Sequence, residues 1–183
     1  MAAKNSSKTK NAVDQTVDED IASGSIRPVY LLFGEETYLL RQKKKLLLDA
    51  VRNPDDNMNF SAFEGKGIRP AEIIDLAETL PFLAERRVIL IENSGFFKNA
   101  APEDLIEYID SIPETACLIF SENEVDKRGK LYKAVAKKGA AVEYGRLDQD
   151  TLSKWIASRI RKEGKQISGA ALRQFLVQSG DDM

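Results

Sequence analysis

The stretch Val29-Tyr30-Leu31-Leu32-Phe33-Gly34-Glu35-Glu36-Thr37 decides how the rest of the chain is read. Five apolar residues without alternation suit a strand covered on both faces. Gly34 opens a turn, Thr37 is placed to cap, and the pattern predicts a helix from about Tyr38 to Val51. Strand, glycine turn and helix is where a phosphate-binding loop belongs. Counted from Gly34, the spacing G-x-x-x-x-G-K-S/T puts its second glycine on Leu39, its lysine on Leu40 and its hydroxyl on Arg41. None of those positions is filled. Glu35 and Glu36 also place negative charge where backbone N–H groups would face phosphate. The stretch has the architecture of a nucleotide-binding fold without its chemistry, so no cofactor is expected there.

Working outward, the same alternation repeats. In the first helix Leu39, Leu46 and Ala50 share a face, with Leu40, Leu47 and Val51 beside it. Lys43-Lys44-Lys45 interrupts them and reads as solvated surface. Asn53-Pro54-Asp55-Asp56 turns the chain, and Met58 to Phe63 reads as a strand with Met58, Phe60 and Ala62 on one side. Pro70 opens a helix whose buried stripe is Ile73, Ile74, Ala77 and Leu80. Val88 to Ile91 is the next strand. A helix led by Pro102, Glu103 and Asp104 follows, with Leu105, Ile109 and Ile112 inward. Then come a strand at Cys117 to Phe120, a helix at Lys130 to Lys138 closed by Gly139, and a strand at Ala141 to Tyr144. This order predicts an α/β domain over residues 27–146, a parallel sheet with helices on both faces.

The flanks differ. Residues 1–26, with Asn5-Ser6-Ser7 and Asp18-Glu19-Asp20, read as a disordered leader. Residues 147–183 carry helical patterns only: Asp148 or Asp150 caps a helix facing inward with Leu152, Trp155, Ile156 and Ile160. Gly164 breaks it, and Ile167-Ser168 starts another with Leu172, Phe175 and Leu176 inward. These two helices either pack on the α/β domain or open a small helical domain that is cut short.

Composition narrows the function classes. The net charge of −2 excludes a strongly basic nucleic-acid coat but permits local basic patches. No apolar run approaches the roughly 20 residues of a membrane helix, and no secretory signal is read at the N-terminus. The single cysteine, Cys117, lies in an apolar run and reads as an inert thiol in a reducing cytoplasm. The sequence contains no histidine, which excludes Ser-His-Asp and Cys-His nucleophile systems and His-based zinc sites. Asp55-Asp56 and Asp181-Asp182 lack the spacing of a calcium or magnesium loop, so no metal is expected.

One corner stands out against this frame: Leu80-Pro81-Phe82-Leu83-Ala84-Glu85-Arg86-Arg87. A short helix-to-strand connection is ordinarily polar, yet Phe82 and Leu83 sit side by side after a proline. They are either a plug into the protein's own core or an apolar tip offered to a partner. Phe96-Phe97, after the third strand, is either a second partner contact or the hydrophobic seat of the following helix, and the seat is favoured. The basic residues Lys127, Arg128, Lys130, Lys133, Lys137 and Lys138 make either a solvated helical face or a contact for nucleic-acid phosphates.

Val29 to Leu40, Leu80 to Val88, Val125-Asp126-Lys127-Arg128-Gly129-Lys130-Leu131-Tyr132-Lys133, Trp155-Ile156 and Ile167-Ser168-x-x-Ala171 together resemble one family. It is the delta subunit of bacterial DNA polymerase III, the clamp-loader subunit that opens the sliding clamp. The resemblance implies an AAA+-like first domain with a degenerate P-loop, a helical lid domain that is shortened here, and a collar domain that is absent. It implies a cytoplasmic replication protein whose partners are the beta sliding clamp, the other clamp-loader subunits and primed DNA. By position, Phe82 and Leu83 would contact the clamp, with Leu80 and Pro81 beside them. Lys127, Arg128, Lys130 and Lys133 would be the candidates for DNA phosphate. No catalytic residue is expected; the DNA-directed DNA polymerase chemistry, a nucleotidyl transfer, would belong to the holoenzyme. With Ile73, Ile74, Ala77 and Leu80 already supplying the helix with a core face, the resemblance favours the outward tip, with Arg86 and Arg87 as its polar margin. The competing readings are an α/β enzyme acting on a nucleotide or phosphorylated substrate, and a general nucleic-acid-binding module.

Overall fold

The most apolar runs become the centre of the sheet. In the computed structural model, which describes residues 15–53, 55–98 and 101–179, β1 (Val29–Phe33), β3 (Arg87–Glu92) and β4 (Ala116–Glu122) are flanked by β2 (Phe60–Glu64) and β5 (Ala140–Glu143). The order is β2-β3-β4-β1-β5, and every pairing is parallel. Strands β1 and β4 are buried along their whole length, and β3 is buried up to its last residue. That is why these runs show no polar alternation. The edge strands β2 and β5 are only partly covered.

Alternate residues of each strand serve opposite faces. Val29, Leu31, Phe33, Ile89, Ile91, Leu118 and Phe120 join one core with helices α3 (Pro70–Glu78), α4 (Glu103–Ser111) and α5 (Lys130–Lys138), through Ile73, Leu105, Ile109, Leu131 and Val135. The other face is served by α1 (Thr16–Ser23) and α2 (Thr37–Val51), with Val17, Leu39 and Leu47 fully buried. Phe97 lies in the first core, edge-on to Phe120 at 5.2 Å between ring centres, and Phe96 packs against it. The Phe96-Phe97 pair is therefore packed on the core that α4 shares, which agrees with the favoured of its two sequence readings. Cys117 is fully buried on β4, and burial pushes its thiol up to about 12.

Several expectations need correction. The leader is not structureless throughout: α1 forms from Thr16, closed by Gly24 in the left-handed region. Asp20, nearly buried, accepts from Arg27 Nε at 2.6 Å, Arg27 Nη2 at 3.0 Å and the Tyr30 hydroxyl at 3.0 Å. Of Lys43-Lys44-Lys45 only Lys45 is strongly exposed; Lys43 is buried against Asp18 of α1, and Lys44 pairs with Glu92. Lys43 thus belongs to the inward stripe with Leu39, Leu40 and Leu47, and Leu46 faces solvent. Thr37 is the first helical residue, and Glu36 before it makes no side-chain cap. The second strand begins at Phe60, not Met58, and it is Phe63 that packs on the core. Helix α3 ends at Glu78, so Leu80 lies past the helix and outside its buried stripe. Asn5-Ser6-Ser7, Pro54 and Asp181-Asp182 lie outside the described residues.

The described residues form two compact units, the sheet and its helices ending at Gly145 and a helical unit from Arg146. In the latter, the Asp148 carboxylate accepts from Thr151 N at 2.7 Å and starts α6 (Gln149–Lys162). Ser168 Oγ accepts from Ala171 N at the start of α7 (Gly169–Ser179). Leu152, Leu172 and Leu176 make its small core, with Trp155 and Ile156 packed on it. Phe175 is exposed, contrary to its inward assignment, because Leu172 and Leu176 take that stripe. Among the described residues no helix is long and apolar enough to cross a membrane.

Candidate functional site

A parallel sheet has two unlike ends, and ligands of open α/β sheets bind beyond the carboxyl ends of the strands. At that end the turn after β1 is closed on itself. Gly34 N donates to Glu122 O at 3.4 Å and Glu36 N to Tyr144 O at 3.0 Å, while Thr37 N donates to Glu35 O at 2.9 Å. Gly34 has φ 133°, and a Cβ there would lie 2.2 Å from the Tyr144 carbonyl oxygen. Glycine is needed here for close packing of chain on chain, and these N–H groups are already engaged by protein carbonyls. Beside this loop, Glu122 is buried and accepts from Ser94 N at 2.9 Å and from the Ser94 hydroxyl. Burial raises its carboxyl above the ordinary range against those hydrogen bonds. This loop is internally satisfied, with no cradle for phosphate among the described residues.

The corner between α3 and β3 lies at the opposite, amino end of the strands. There Leu80 is 75% exposed, Phe82 58% and Leu83 93%. Met58, in the loop before β2, is 65% exposed. Leu83 also has φ 53°, a left-handed conformation that is uncommon for a bulky residue. Pro81 is half-buried between them.

Polar groups, not apolar ones, hold this apolar corner in shape. Asn59, only 4% exposed, pairs its side-chain amide with both main-chain groups of Phe82: Phe82 N donates to Asn59 Oδ1 at 2.7 Å, and Asn59 Nδ2 donates to Phe82 O at 2.8 Å. The second Nδ2 proton goes to Asp56 Oδ2 at 2.6 Å. Asp56 Oδ1 accepts from Met58 N at 2.9 Å and Asn59 N at 3.1 Å. These bonds, that from the Asn59 amide first, hold the Asp56 carboxyl below its ordinary range. Arg87, buried at the start of β3, donates from Nε to Thr79 O at 3.1 Å and from Nη1 to Met58 O at 3.0 Å. Arg86 reaches Ile26 O at 3.1 Å. The two arginines are thus internal braces of the corner rather than its polar margin. Beside Leu83 a cleft of about 330 Å³ is lined by Ile26, Val51, Arg52, Asn59 and Arg86.

Sequence reasoning places Leu80, Pro81, Phe82 and Leu83 together, and the structure brings them to one exposed corner. It misses Met58, Asn59, Asp56 and Arg87. Only the turn-like run Asp55-Asp56-Asn57-Met58-Asn59 hints at a polar anchor, and nothing in sequence joins residue 59 to residue 82.

The basic residues around α5 are far from bare. Lys127 pairs with Glu143, Arg128 with Asp126 at 3.0 Å, Lys130 with Glu103 at 2.7 Å and Lys137 with Asp110 at 3.0 Å. Lys138 Nζ donates to Asp110 O at 3.0 Å. Such exposed pairs add little stability, but they offset most of the positive charge locally.

The family model for the DNA polymerase III delta subunit matches residues 30–145. The chain is 28% identical over 170 residues to the DNA polymerase III subunit delta of Bacillus subtilis (strain 168), covering 87% of this chain and 49% of that protein. Among solved structures, the Bacillus subtilis DNA clamp loader delta protein YqeN is similar at TM-score 0.73 and 26% identity, over 87% of this chain and 50% of the other. A DNA polymerase III gamma subunit-related protein from Thermotoga maritima is similar in fold alone, at TM-score 0.52 and 13% identity, over 79% of this chain and 50% of that one. This chain therefore spans about half the length of the relatives it matches.

Proposed function

The chain belongs to the DNA polymerase III delta-subunit family, and from that premise we propose that it acts in DNA replication as the clamp-loader subunit that grips and helps open the beta sliding clamp. The observation that carries this reading is the corner itself: Leu80, Phe82 and Leu83 stand out in solvent on a braced loop. An exposed apolar tip with an ordered backbone is suited to enter a pocket, where a few desolvated aromatic and aliphatic groups carry most of the binding energy. Full burial of Phe82 and Leu83 in a partner would contribute about 1.5–3 kcal/mol each.

Mechanically, that energy opens a ring only to the extent that the open form is bound more tightly than the closed one. In the clamp loader, ATP binding and hydrolysis would be the work of other subunits, which would expose or withdraw this corner. The internally satisfied loop at Gly34–Thr37 fits a subunit that does no nucleotide chemistry of its own. In the same proposal Lys127, Arg128, Lys130 and Lys133 meet DNA phosphates only in the loaded complex. DNA would have to replace Glu143, Asp126 and Glu103 as partners of the first three, so such contact would be secondary and steeply salt-dependent.

The test compares affinity for the intact clamp ring with affinity for a clamp held monomeric by interface mutation. Tighter binding to the monomer, which has no closed interface to strain, is expected. Equal binding to both would refute a ring-opening role while leaving simple docking possible.

A further inference from the structure

The oddity of this corner is its inverted construction. Its exposed groups are large and apolar, and the buried group beneath them is an amide. Asn59 is rooted in the sheet through its own main chain, since Val88 N donates to Asn59 O at 2.8 Å in line with the β2–β3 ladder. Its side chain leaves that ladder and closes a two-bond ring on Phe82, the same donor–acceptor pair a neighbouring strand would offer. The orientation of the amide admits no flip. Phe82 N can only donate, whereas Phe82 O and the Asp56 carboxylate can only accept. Phe82 is therefore fixed at both its main-chain groups, and the chain turns into the left-handed region at the next residue, Leu83.

We propose that Asn59 is a positioning residue for partner docking: it makes no contact with the partner, but holds Phe82 and Leu83 in their outward arrangement before the partner arrives. The inference rests on the clamp-binding reading above and deepens it. A loop of this length without the clasp would sample many conformations, and binding would then carry the cost of ordering it, which preorganisation removes. Arg87 complements the clasp by joining Met58 O to Thr79 O, so the two segments that meet at the corner are tied on either side of Asn59.

The experiment measures affinity of the chain for the sliding clamp of the same organism, with amide hydrogen exchange at Phe82 in the free chain. The variants are Asn59→Ala and Asn59→Asp. The second keeps the shape but puts a carboxylate oxygen where Nδ2 stood, and that oxygen cannot donate to Phe82 O or to the Asp56 carboxylate. Ile109→Val, on the core face of α4, controls for a general loss of stability. Expected are exchange at Phe82 at least tenfold faster in both Asn59 variants, clamp affinity at least fivefold weaker in both, and affinity within twofold of the parent for Ile109→Val. The proposal is overturned if the Asn59 variants bind as the parent does, or if Ile109→Val weakens binding equally. If the parent itself binds no clamp, the clamp reading falls and takes the docking role with it, whatever the exchange at Phe82 shows.

Discussion

Leu83 shows at the residue scale how stability and binding pull apart. Its left-handed backbone costs a non-glycine residue about 1–2 kcal/mol, of which a glycine would return about 0.5–1 kcal/mol after its own entropy loss on folding. Leu83→Gly is therefore expected to raise unfolding stability in urea by about 0.5–1 kcal/mol relative to Leu83→Ala while both lose clamp affinity; a Gly variant less stable than the Ala variant would contradict the strain at this residue. Glu122 makes a pH-dependent prediction. Its carboxyl is raised in the folded chain, so the folded state holds the proton more tightly than the unfolded one. Its contribution to stability then falls as pH rises from the ordinary glutamate value of about 4.3 through the raised native one. Urea unfolding from pH 4 to 8 should show Glu122→Gln gaining on the parent as pH rises and converging with it at the acid end. An unchanged difference across that range would contradict the assignment. Cys117, buried and pushed up to about 12, should resist thiol reagents until the chain unfolds. Its burial was readable from Ala116-Cys117-Leu118-Ile119-Phe120, whereas the roles of Asn59 and Arg87 were not, because both depend on carbonyls distant in sequence.

Among the elements, the central strands were legible because burial on both faces leaves an unbroken apolar run. The edge strand β2 starts two residues later than its pattern suggests, because its half-covered face tolerates polar residues and Met58 mimics the alternation from a loop. Helix α1 lacks a legible pattern for a different reason. Its eight residues carry four acidic or hydroxyl side chains in TVDEDIAS before Ile21, and beside the buried Val17 its hold on the domain comes from polar partners. Asp20 receives both Arg27 and the buried Tyr30 hydroxyl, and Lys43 of α2 reaches Asp18. Asp20→Ala should cost about 1–3 kcal/mol, since it strands a buried donor, read as a lower urea midpoint with unchanged slope. A midpoint equal to the parent's would mean that α1 is not anchored through this carboxylate. The same lesson covers Lys43: three consecutive lysines look solvated until the partner of each is known.

At the scale of the whole molecule, the two ends of the α/β domain are built differently. The carboxyl end, where open α/β sheets take their ligands, is closed after β1 by its own carbonyls. The amino end carries the exposed corner, and α3 to β3 is the connection that a parallel sheet must place there. The missing loop chemistry was visible in the sequence as Leu39, Leu40 and Arg41 at three required positions; the outward direction of Phe82 and Leu83 was visible as a surplus of apolar residues over the needs of the core, together with the family resemblance. Binding of the sliding clamp to the parent chain and to the double variant Phe82→Ala, Leu83→Ala tests the central claim most directly. Both side chains are largely exposed, so the variant should keep the parent's thermal midpoint within about 2 °C and lose at least about 100-fold in affinity, the equivalent of roughly 2.7 kcal/mol. A variant that binds the clamp as tightly as the parent would contradict it.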